Sequence, residues 1–396
     1  MNRERYGTPL SQVRIAQISF YTDPKARAPE QLLSVWPTVV NCAECATLGG
    51  AEVAVIQSAA GTAHLEHNGV NYHFLPCGEP QRDPGQRAHL AALLTRLAPE
   101  VLHVQGLGFP AAVNTLAALL PGVPIVLQDH ADRPPPLWRR AALRQATGRI
   151  AAVAFCAREL ARPFLQARLL GPHVRIYEIP ESSSRFVPRD RLAARQRLGR
   201  SGRPLLLWVG RLDDNKDPLT VLEGVAAAVS ALPGLELLCV YSDAPLLSAV
   251  QRRIAADVRL RHRVHLLGAV THQQVQELMQ AADMFVLGSH HEGSGYALME
   301  ALACGVSPAV TDIPSFRALT ADGHIGRLWP RADPAALTAT LLDLATRDAE
   351  AERRRVCAHF QTQLSFDAVG RKLARMYDDV KADARSAGAH ARAAPA

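Results

Sequence analysis

The amino-acid sequence predicts an α/β protein with two doubly wound domains that face each other across a cleft. Short, almost continuously apolar segments alternate with helical stretches, which is typical of parallel strands buried on both faces of a sheet. This alternation occurs twice, on either side of a polar segment rich in Pro, Arg and Ser. The length of 396 residues favours the same division, because single cores rarely grow past roughly 250–300 residues.

The first domain is predicted to span residues 1–185. Its first strand is expected in VRIAQIS (13–19), and a helix follows through LLSVWPTVVNCAECATLGG, which the Gly-Gly pair at 49–50 ends. Further strands, chosen for their β-branched and aliphatic residues, are expected in AEVAVIQ (51–57), VLHVQG (101–106), PIVLQDH (124–130), IAAVAFC (150–156) and VRIYEIP (174–180).

The second domain is predicted over residues 186–362. The polar segment at its start, ESSSRFVPRDRLAARQRLGRSGRP, indicates a linker with a short helix. Residues 363–382 are expected to form a C-terminal helix that crosses back to the first domain, and the Ala-rich residues 383–396 a disordered tail. The strands of this domain are expected in LLLWVG (205–210), LELLCVY (235–241), VHLLG (264–268), MFVLG (284–288) and SPAVT (307–311).

The composition is that of an ordinary soluble protein, with 48% hydrophobic and 20% charged residues. No apolar run reaches the ~18 residues that a membrane helix needs. The N-terminal segment MNRERYGTPLSQ lacks the apolar core of a secretory signal, so we expect a cytoplasmic protein. The cysteines are odd in number and irregularly spaced, which predicts no disulfide framework; Cys42 and Cys45 are interpreted as buried apolar residues rather than a metal or redox pair.

The net charge of +7 is concentrated in one segment. Between Arg133 and Arg168 there are eight arginines and one acid, Glu159. Such a segment could meet anionic lipid at the inner face of a membrane, nucleic acid or an acidic substrate, or it could be a solvated helical face. We predict no nucleic-acid partner, because the aromatic residues expected for base stacking are few: Trp138, Phe155 and Phe164.

The stretch HHEGSGYALMEALACG (290–305) predicts an anion site. Its two glycines allow the backbone to approach a ligand closely, and the helix predicted from Tyr296 to Ala303 offers the N–H groups and positive dipole of its first turn to a phosphate. Glu300, inside this helix, could accept both hydroxyls of a ribose, and Glu292, on the loop, could accept hydroxyls of another sugar. The alternative is a loop-capping acid and a surface helix acid.

Cations follow two other predicted strands. Arg211 and Lys216, in GRLDDNKDPLTVLEG, could hold a diphosphate, or they could form surface ion pairs with the neighbouring Asp213, Asp214 and Asp217. His130, at a strand end of the first domain, could donate to a sugar hydroxyl or a carbonyl, or it could be structural. Each of these segments follows a strand, which is where doubly wound sheets bind ligands.

These motifs resemble the retaining GT-B glycosyltransferases of family 4 (glycosyl transferases group 1). The resemblance rests on the spacing Glu292-x7-Glu300 and is specific from near Pro204 to Val380. It includes VGRLDDNKDPLTVLEG, VHLLGAVTHQQVQELMQAADMFVLGS, EGSGYALMEALACG and SFDAVGRKLARMYDDV. The N-terminal half matches more weakly, through VRIAQIS, LGGAEVAV, VLHVQG and PIVLQDH. The resemblance implies two Rossmann-like domains and transfer of a sugar, with retention, from a UDP- or GDP-linked donor to a sugar or lipid-linked hydroxyl acceptor in polysaccharide or glycolipid assembly.

The resemblance also implies roles for individual residues. Arg211 and Lys216 would neutralise the leaving diphosphate, and Glu300 would bind the ribose. Glu292 would hold the transferred sugar, and His130 would lie over it from the first domain. The remaining nucleotide-sugar-binding positions implied are Val270, near the base, and Gly295, Tyr296, Ala297 and Leu298, at the helix N-terminus.

No metal and no cofactor are predicted, because the chain contains no DxD triplet and the nucleotide sugar is a co-substrate. The chain departs from the family pattern in several loops: FYTDPKARAPEQ has Lys25 and Arg27 in place of a Gly-Gly pair, IPESSSRF replaces an Asn-Gly turn, Ser294 replaces a Phe, and VYSDAP replaces a Gly-rich turn. These departures motivate an alternative, in which the chain is a donor-binding but inactive partner subunit of a glycosyltransferase complex.

Overall fold

The computed structural model describes residues 12–393, with side chains up to residue 386. The described chain divides into two units, one formed by the residues up to Ser183 together with those from Phe366 on, the other by Ser184–Ser365. Each unit contains one mainly parallel sheet with helices packed on it, so the predicted α/β fold class with two doubly wound domains is confirmed.

The first unit is built around a sheet with the strand order β3-β4-β2-β1-β5-β6-β7-β8, in which only β3 runs antiparallel to its neighbour. All of the strands predicted for this unit are present. Its elements, in chain order, are β1 (Arg14–Ser19), α1 (Pro29–Val35), α2 (Pro37–Leu48), β2 (Glu52–Ser58), β3 (Ala63–His67), β4 (Val70–Leu75), α3 (Pro84–Leu97), β5 (Val101–Gln105), α4 (Pro110–Leu119), β6 (Ile125–Gln128), α5 (Arg140–Thr147), β7 (Ala152–Phe155), α6 (Arg162–Gln166) and β8 (Arg175–Glu178).

The second unit has an all-parallel sheet with the order β11-β10-β9-β12-β13-β14. Its elements are α7 (Arg191–Leu198), β9 (Leu205–Val209), α8 (Pro218–Ala228), β10 (Glu236–Val240), α9 (Leu247–Ala256), β11 (Val264–Gly268), α10 (His272–Ala281), β12 (Met284–Leu287), α11 (Tyr296–Ala303), β13 (Ser307–Thr311), α12 (Pro314–Leu319), β14 (Arg327–Trp329), α13 (Pro334–Ala345) and α14 (Ala349–His359). The predicted strands are again all present, and β14 is an addition.

The hairpin β3–β4 was not expected from the sequence. Its turn is Asn68-Gly69, where both residues have positive φ, 51° and 76°. Asn-Gly is the preferred pair for this turn, but β3 is half-exposed and carries no apolar run, so the apolar pattern missed it. The helix predicted as one element around Pro37 is also broken in two, because proline has no N–H to continue α1 and instead begins α2.

Helix α15 (Phe366–Ala393) ends the described chain and packs on α2 of the first unit. The two helices touch at glycines, since a Cβ on Gly370 would overlap the carbonyl oxygen of Cys45. Tyr377, fully buried on α15, lies 2.8 Å from His103 Nδ1 through its hydroxyl. We expected a disordered tail from residue 383, but 383–393 continue the helix, because alanine and arginine favour it; residues 394–396 lie outside the described residues.

The described cysteines form no disulfide, and Cys42 and Cys45 are buried in α2. Burial raises the pKa of the Cys42 thiol to about 12, as expected of a side chain that acts as an apolar residue. Within residues 12–393, the structure contains no helix that is both long and apolar enough to cross a membrane.

Candidate functional site

The loops after β9 and β12 are joined at the carboxyl edge of the second sheet. These strands are parallel neighbours, with Phe285 paired to Leu207, so both loops leave the same edge. Asn215 ties them together, because its backbone oxygen accepts from His290 N at 2.8 Å and its side chain exchanges hydrogen bonds with the backbone of His291 at 3.0 and 3.1 Å. The next residue on each loop is one predicted from the sequence.

Those residues, Lys216 and Glu292, form an ion pair. Lys216 Nζ contacts Glu292 Oε1, which also accepts a hydrogen bond from Ser289 Oγ at 2.7 Å. The two side chains are only 16% and 14% exposed. The loop that carries Glu292 is held in turn by Ser315, whose hydroxyl donates to the Glu292 carbonyl oxygen at 2.8 Å. The structure therefore holds a cation and an anion in a nearly buried position at a strand end.

Helix α11 begins at Tyr296, four residues after Glu292, with the bounds predicted from the sequence. Gly295 precedes it in the left-handed conformation, with φ 63° and ψ 43°. A Cβ at this position would lie 3.0 Å from Leu319 Cδ1, so both the conformation and the space favour glycine. The first turn that follows contains Tyr296, Ala297 and Leu298, and the backbone bond from Met299 N to Gly295 O, 3.0 Å, is the first of the helix.

Glu300 is paired with a histidine, His272, that is not among the residues predicted from the sequence. His272 Nε2 lies 2.6 Å from Glu300 Oε1, and this hydrogen bond, more than any other influence, raises the pKa of His272. His272 begins α10, two residues after Val270, so the contact brings the segment expected near the base close to the acid expected at the ribose. The Glu300 side chain is 15% exposed and that of His272 73%. The only available signal was its position in VHLLGAVTHQQVQELMQ.

Arg211 is not part of the Lys216–Glu292 pair in this structure. Its guanidinium is 58% exposed and lies 2.9 Å from Asp213 Oδ2, which is the surface pairing that the sequence left as an alternative. Asp217, another of the competing acids, caps α8 and lies 3.2 Å from His290 Nε2. Of the two predicted cations, Lys216 therefore contacts a predicted site residue and Arg211 contacts a neighbouring acid.

His130, in the first unit, is held on both sides of its ring. Nε2 lies 2.8 Å from Gln105 Oε1, and Nδ1 contacts Glu181 Oε2 in an ion pair. Gln105 Nε2 in turn donates to Cys42 Sγ at 3.6 Å, which turns Oε1 toward the imidazole. Glu181 is 5% exposed and follows β8. Its segment, IPESSSRF, stands out in the sequence only as a departure from a turn motif, which predicts no role for Glu181.

The surroundings of His130 are acidic. Burial lowers the pKa of His130, but the contact with Glu181 and the charges of Asp132 and Asp129 together raise it above its ordinary value. Burial also raises the pKa of Asp129 to about 7. His103 differs, since burial lowers its pKa to about 3 and its ring packs against Tyr377 of α15.

A cavity of about 360 Å³ opens beside His130, entirely within the first unit. Its lining is aromatic and amide-rich and includes Tyr21, Trp36, Phe109, Gln57 and Gln105. Lys25 and Arg27, expected in the nearby loop, do not line it, and Arg27 is tied to Asp23 by an ion pair of 2.7 Å. Aromatic faces with amide groups suit the apolar face and the hydroxyls of a neutral sugar ring.

Over the residues with described side chains, no three His, Cys, Asp or Glu groups converge in a way that would hold a metal ion. Lys216, Arg211 and the N-terminus of α11 supply positive charge at the strand ends of the second sheet.

Comparison with known proteins shows a similarity to glycosyltransferases. Residues 203–347 match the protein family described as Glycosyl transferases group 1. The GDP-mannose:cellobiosyl-diphosphopolyprenol alpha-mannosyltransferase of Xanthomonas campestris is 28% identical over 278 residues, which cover 68% of this chain and 70% of that protein.

Solved structures show the same fold over almost the whole length. Sucrose-phosphate synthase from Thermosynechococcus elongatus superposes with a TM-score of 0.68 at 17% identity, covering 94% of this chain and 100% of that one. HepE of Anabaena, solved in complex with UDP, superposes with a TM-score of 0.66 at 15% identity, covering 93% of this chain and 100% of that one. Residues 203–347 of the second unit are thus similar to the glycosyl transferases group 1 family, and the chain has the GT-B fold.

Proposed function

We propose that this protein is a retaining family 4 glycosyltransferase, which moves a sugar from a nucleotide diphosphate donor to a hydroxyl acceptor. The observation that carries the proposal is the Lys216–Glu292 pair, whose glutamate lies four residues before Tyr296, the first residue of α11, within the residues that match the glycosyl transferases group 1 family. A cation, a carboxylate and a helix N-terminus at the ends of two neighbouring strands match the charges of a diphosphate joined to a sugar.

When the donor binds, Lys216 and Glu292 separate and contact two different groups of the ligand. Lys216 Nζ turns from Glu292 to a diphosphate oxygen, and Glu292 accepts hydroxyls of the transferred sugar. The amides of Tyr296, Ala297 and Leu298 receive a phosphate, and Arg211, which is largely exposed, can leave Asp213 for the same charge. Glu300 accepts the ribose hydroxyls, and Val270 lies near the base.

The reaction breaks the bond between the anomeric carbon and the diphosphate oxygen and forms a bond from the same carbon to the acceptor oxygen. Negative charge grows on the diphosphate as its bond breaks, and the cations and helix dipole that face it stabilise this state. The acceptor gives its proton to the departing phosphate oxygen, so no separate protein base is required. His130 donates a hydrogen bond to the sugar from Nε2, which leaves Gln105 Oε1 to do so, while Nδ1 stays on Glu181. We expect neither a metal nor a cofactor.

The donor and acceptor classes are proposed from the relatives. The Xanthomonas relative uses GDP-mannose and the Anabaena structure contains UDP, so the candidate donors are UDP- and GDP-linked sugars. The acceptor of the Xanthomonas relative is a diphosphopolyprenol-linked sugar. A sugar or lipid-linked acceptor in polysaccharide or glycolipid assembly is therefore our proposal for this chain.

The test is a thermal shift of the purified protein with UDP, GDP and ADP and their sugar conjugates, followed by transfer assays with the donor that stabilises it. We expect Lys216→Ala to lose the shift and at least about 100-fold of turnover, as for other groups that stabilise developing charge. Arg252→Ala, an exposed cation on α9 of the same unit, is the control and should behave like the wild type. NMR of the anomeric proton of the product determines whether configuration is retained.

The inactive-partner alternative makes a different prediction in the same experiment. It expects the thermal shift without any product from the purified chain, whatever acceptor is offered. Full turnover by Lys216→Ala would instead contradict the proposed use of the Lys216–Glu292 pair.

A further inference from the structure

Two large apolar side chains lie exposed next to each other on the first unit. Leu137 is 77% and Trp138 74% exposed, in the short 3-10 helix Leu137–Arg139 that follows three prolines and leads directly into α5. The buried residues of α5, Leu143 among them, anchor the helix to the core. The apolar pair therefore stays exposed to solvent on a segment that α5 fixes to the core. Such a pair is a candidate contact surface.

Arginines surround this pair. The guanidinium of Arg139 lies 4.4 Å from the centroid of the Trp138 ring, and Arg140 Nε donates to the Pro135 carbonyl at 3.1 Å, which ties the turn to the prolines. Arg144 Nε donates to the carbonyl of Arg168 at 3.2 Å, so the end of α6 lies against α5. In the described part of the chain, none of the eight arginines between 133 and 168 pairs with a carboxylate. The charge around the apolar pair is thus not neutralised by the protein.

We propose that this surface, formed by Leu137, Trp138, Arg139, Arg140 and Arg144 and here called the Trp138 patch, docks onto an anionic lipid bilayer. Tryptophan is enriched at the headgroup level of membranes, where its ring meets the acyl region and its N–H stays hydrated. Arginines beside it attract anionic headgroups, and two signals together, an apolar insertion and a basic surface, bind better than either alone.

The structure disfavours nucleic acid as the partner. Of the aromatic residues in this Arg-rich segment, Phe155 and Phe164 are buried, at 0% and 1% exposure. Trp138 is then the one described aromatic side chain of the segment that a base could stack on, whereas nucleic-acid surfaces combine charge with several such platforms. The docking rests on the Trp138 patch alone and does not depend on the proposed sugar transfer.

The experiment is sedimentation of the full chain with vesicles of phosphatidylcholine alone and with added phosphatidylglycerol, at low and high salt. We expect binding to the vesicles that contain phosphatidylglycerol, weakened by salt, and little binding to phosphatidylcholine. Trp138→Ala and Leu137→Ala should each weaken this binding at least about tenfold, given the apolar area that each inserts. Arg139→Ala should reduce the salt-sensitive part.

Matched controls separate the patch from general surface effects. Val258→Ala removes an apolar side chain that is also 74% exposed but lies in the second unit, and it should bind as the wild type does. All variants change exposed residues, so their melting temperatures and nucleotide-induced thermal shifts should equal those of the wild type.

Several results would overturn the proposal. These are failure of the wild type to sediment with phosphatidylglycerol vesicles at low salt, and wild-type binding by Trp138→Ala. Trp138-dependent binding to single-stranded RNA in place of vesicles would assign the patch to nucleic acid. A change in oligomer mass on Trp138→Ala, measured by light scattering, would assign it to a second copy of the chain.

Discussion

His130 and Glu181 form an ion pair across the carboxyl edge of the first sheet, between side chains that are 51 positions apart in the chain. Nδ1 of the imidazole contacts the carboxylate, and Nε2 faces the amide oxygen of Gln105 at 2.8 Å. Because both partners are acceptors, the arrangement favours a ring that is protonated on both nitrogens. His130 is thus held as a donor, whereas a neutral imidazole would have to leave one of these contacts unsatisfied.

Glu181→Gln should lower the pKa of His130. The substitution keeps the shape of the side chain and removes its charge, so burial then outweighs the remaining influence of Asp129 and Asp132. The measurement is an NMR titration of the His130 ring nitrogens. Glu178→Gln, an exposed acid on β8, is the control and should leave this titration unchanged. An unaltered His130 pKa in Glu181→Gln would show that the ion pair does not determine the protonation state.

The same pair should make stability depend on pH. The folded-state pKa of His130 lies above its unfolded value of about 6.5. Its contribution is therefore fully present below about pH 6.5 and is lost as the pH rises through the folded value. Denaturant unfolding at a series of pH values should show this loss in the wild type and a weaker pH dependence in Glu181→Gln. An equal slope in both proteins would assign the dependence to other groups.

Asp129 should destabilise the fold at neutral and higher pH. Burial raises its pKa to about 7, so the folded state holds a proton that the unfolded chain has already released. Stability therefore falls as the pH rises from about 4, the usual aspartate value, to about 7. In Asp129→Asn the side chain cannot ionise, and its amide oxygen can still accept the hydrogen bond from Asp132 N. We therefore expect its free energy of unfolding to exceed that of the wild type by on the order of 2 kcal/mol at pH 8 and to equal it below pH 4. Unfolding free energies at these two pH values provide the test, and a loss of stability at pH 8 would contradict it.

Glu300 should recognise the ribose through its hydroxyls. If it does, the wild type binds a nucleotide diphosphate more tightly than the 2′-deoxy analogue, by about 10- to 100-fold for a hydrogen bond to a charged group. Glu300→Gln should weaken binding of the ribose nucleotide and bring its affinity close to that of the 2′-deoxy analogue. Isothermal titration calorimetry of both ligands with both proteins gives the four affinities of this double-difference cycle.

His272→Ala is the control for this cycle, because it removes the contact to Glu300 without removing the carboxylate. The His272 side chain is 73% exposed, so we expect the preference for ribose to remain. If the preference disappears in His272→Ala but persists in Glu300→Gln, the recognising group is the histidine.

Local sequence signals predicted the elements that position the site. The strand ends at Val209 and Leu287 follow from apolar runs, and α11 follows from a glycine loop joined to an apolar stripe. Each of these signals lies within a dozen residues, so the residues that meet at one sheet edge could be named before their distances were known.

The pairings of the site could not be predicted in the same way. Glu181 with His130 and His272 with Glu300 join residues far apart in sequence, and nothing near Glu181 indicates a partner. β14 was not predicted for another reason, since its three residues are too few to show the alternating apolar pattern of a strand. Sequence patterns thus located the strand ends, whereas the choice of partner for each charge depends on packing between distant segments.

Gly295 should be irreplaceable for both conformation and space. Gly295→Ala places a Cβ on a residue with φ 63° and 3.0 Å from Leu319 Cδ1, directly before the first turn of α11. Left-handed backbone alone costs an L-residue about 1–2 kcal/mol. The matched control is Gly199→Ala. Gly199 has φ 61° and nothing lies within 4 Å of an added Cβ, so this variant is destabilised only by the left-handed backbone. We therefore expect both variants to lose stability, Gly295→Ala the more, and only Gly295→Ala to lose the nucleotide-induced thermal shift, because the amides of α11 are displaced. Equal nucleotide binding by the two variants would mean that the α11 N-terminus does not contact the diphosphate.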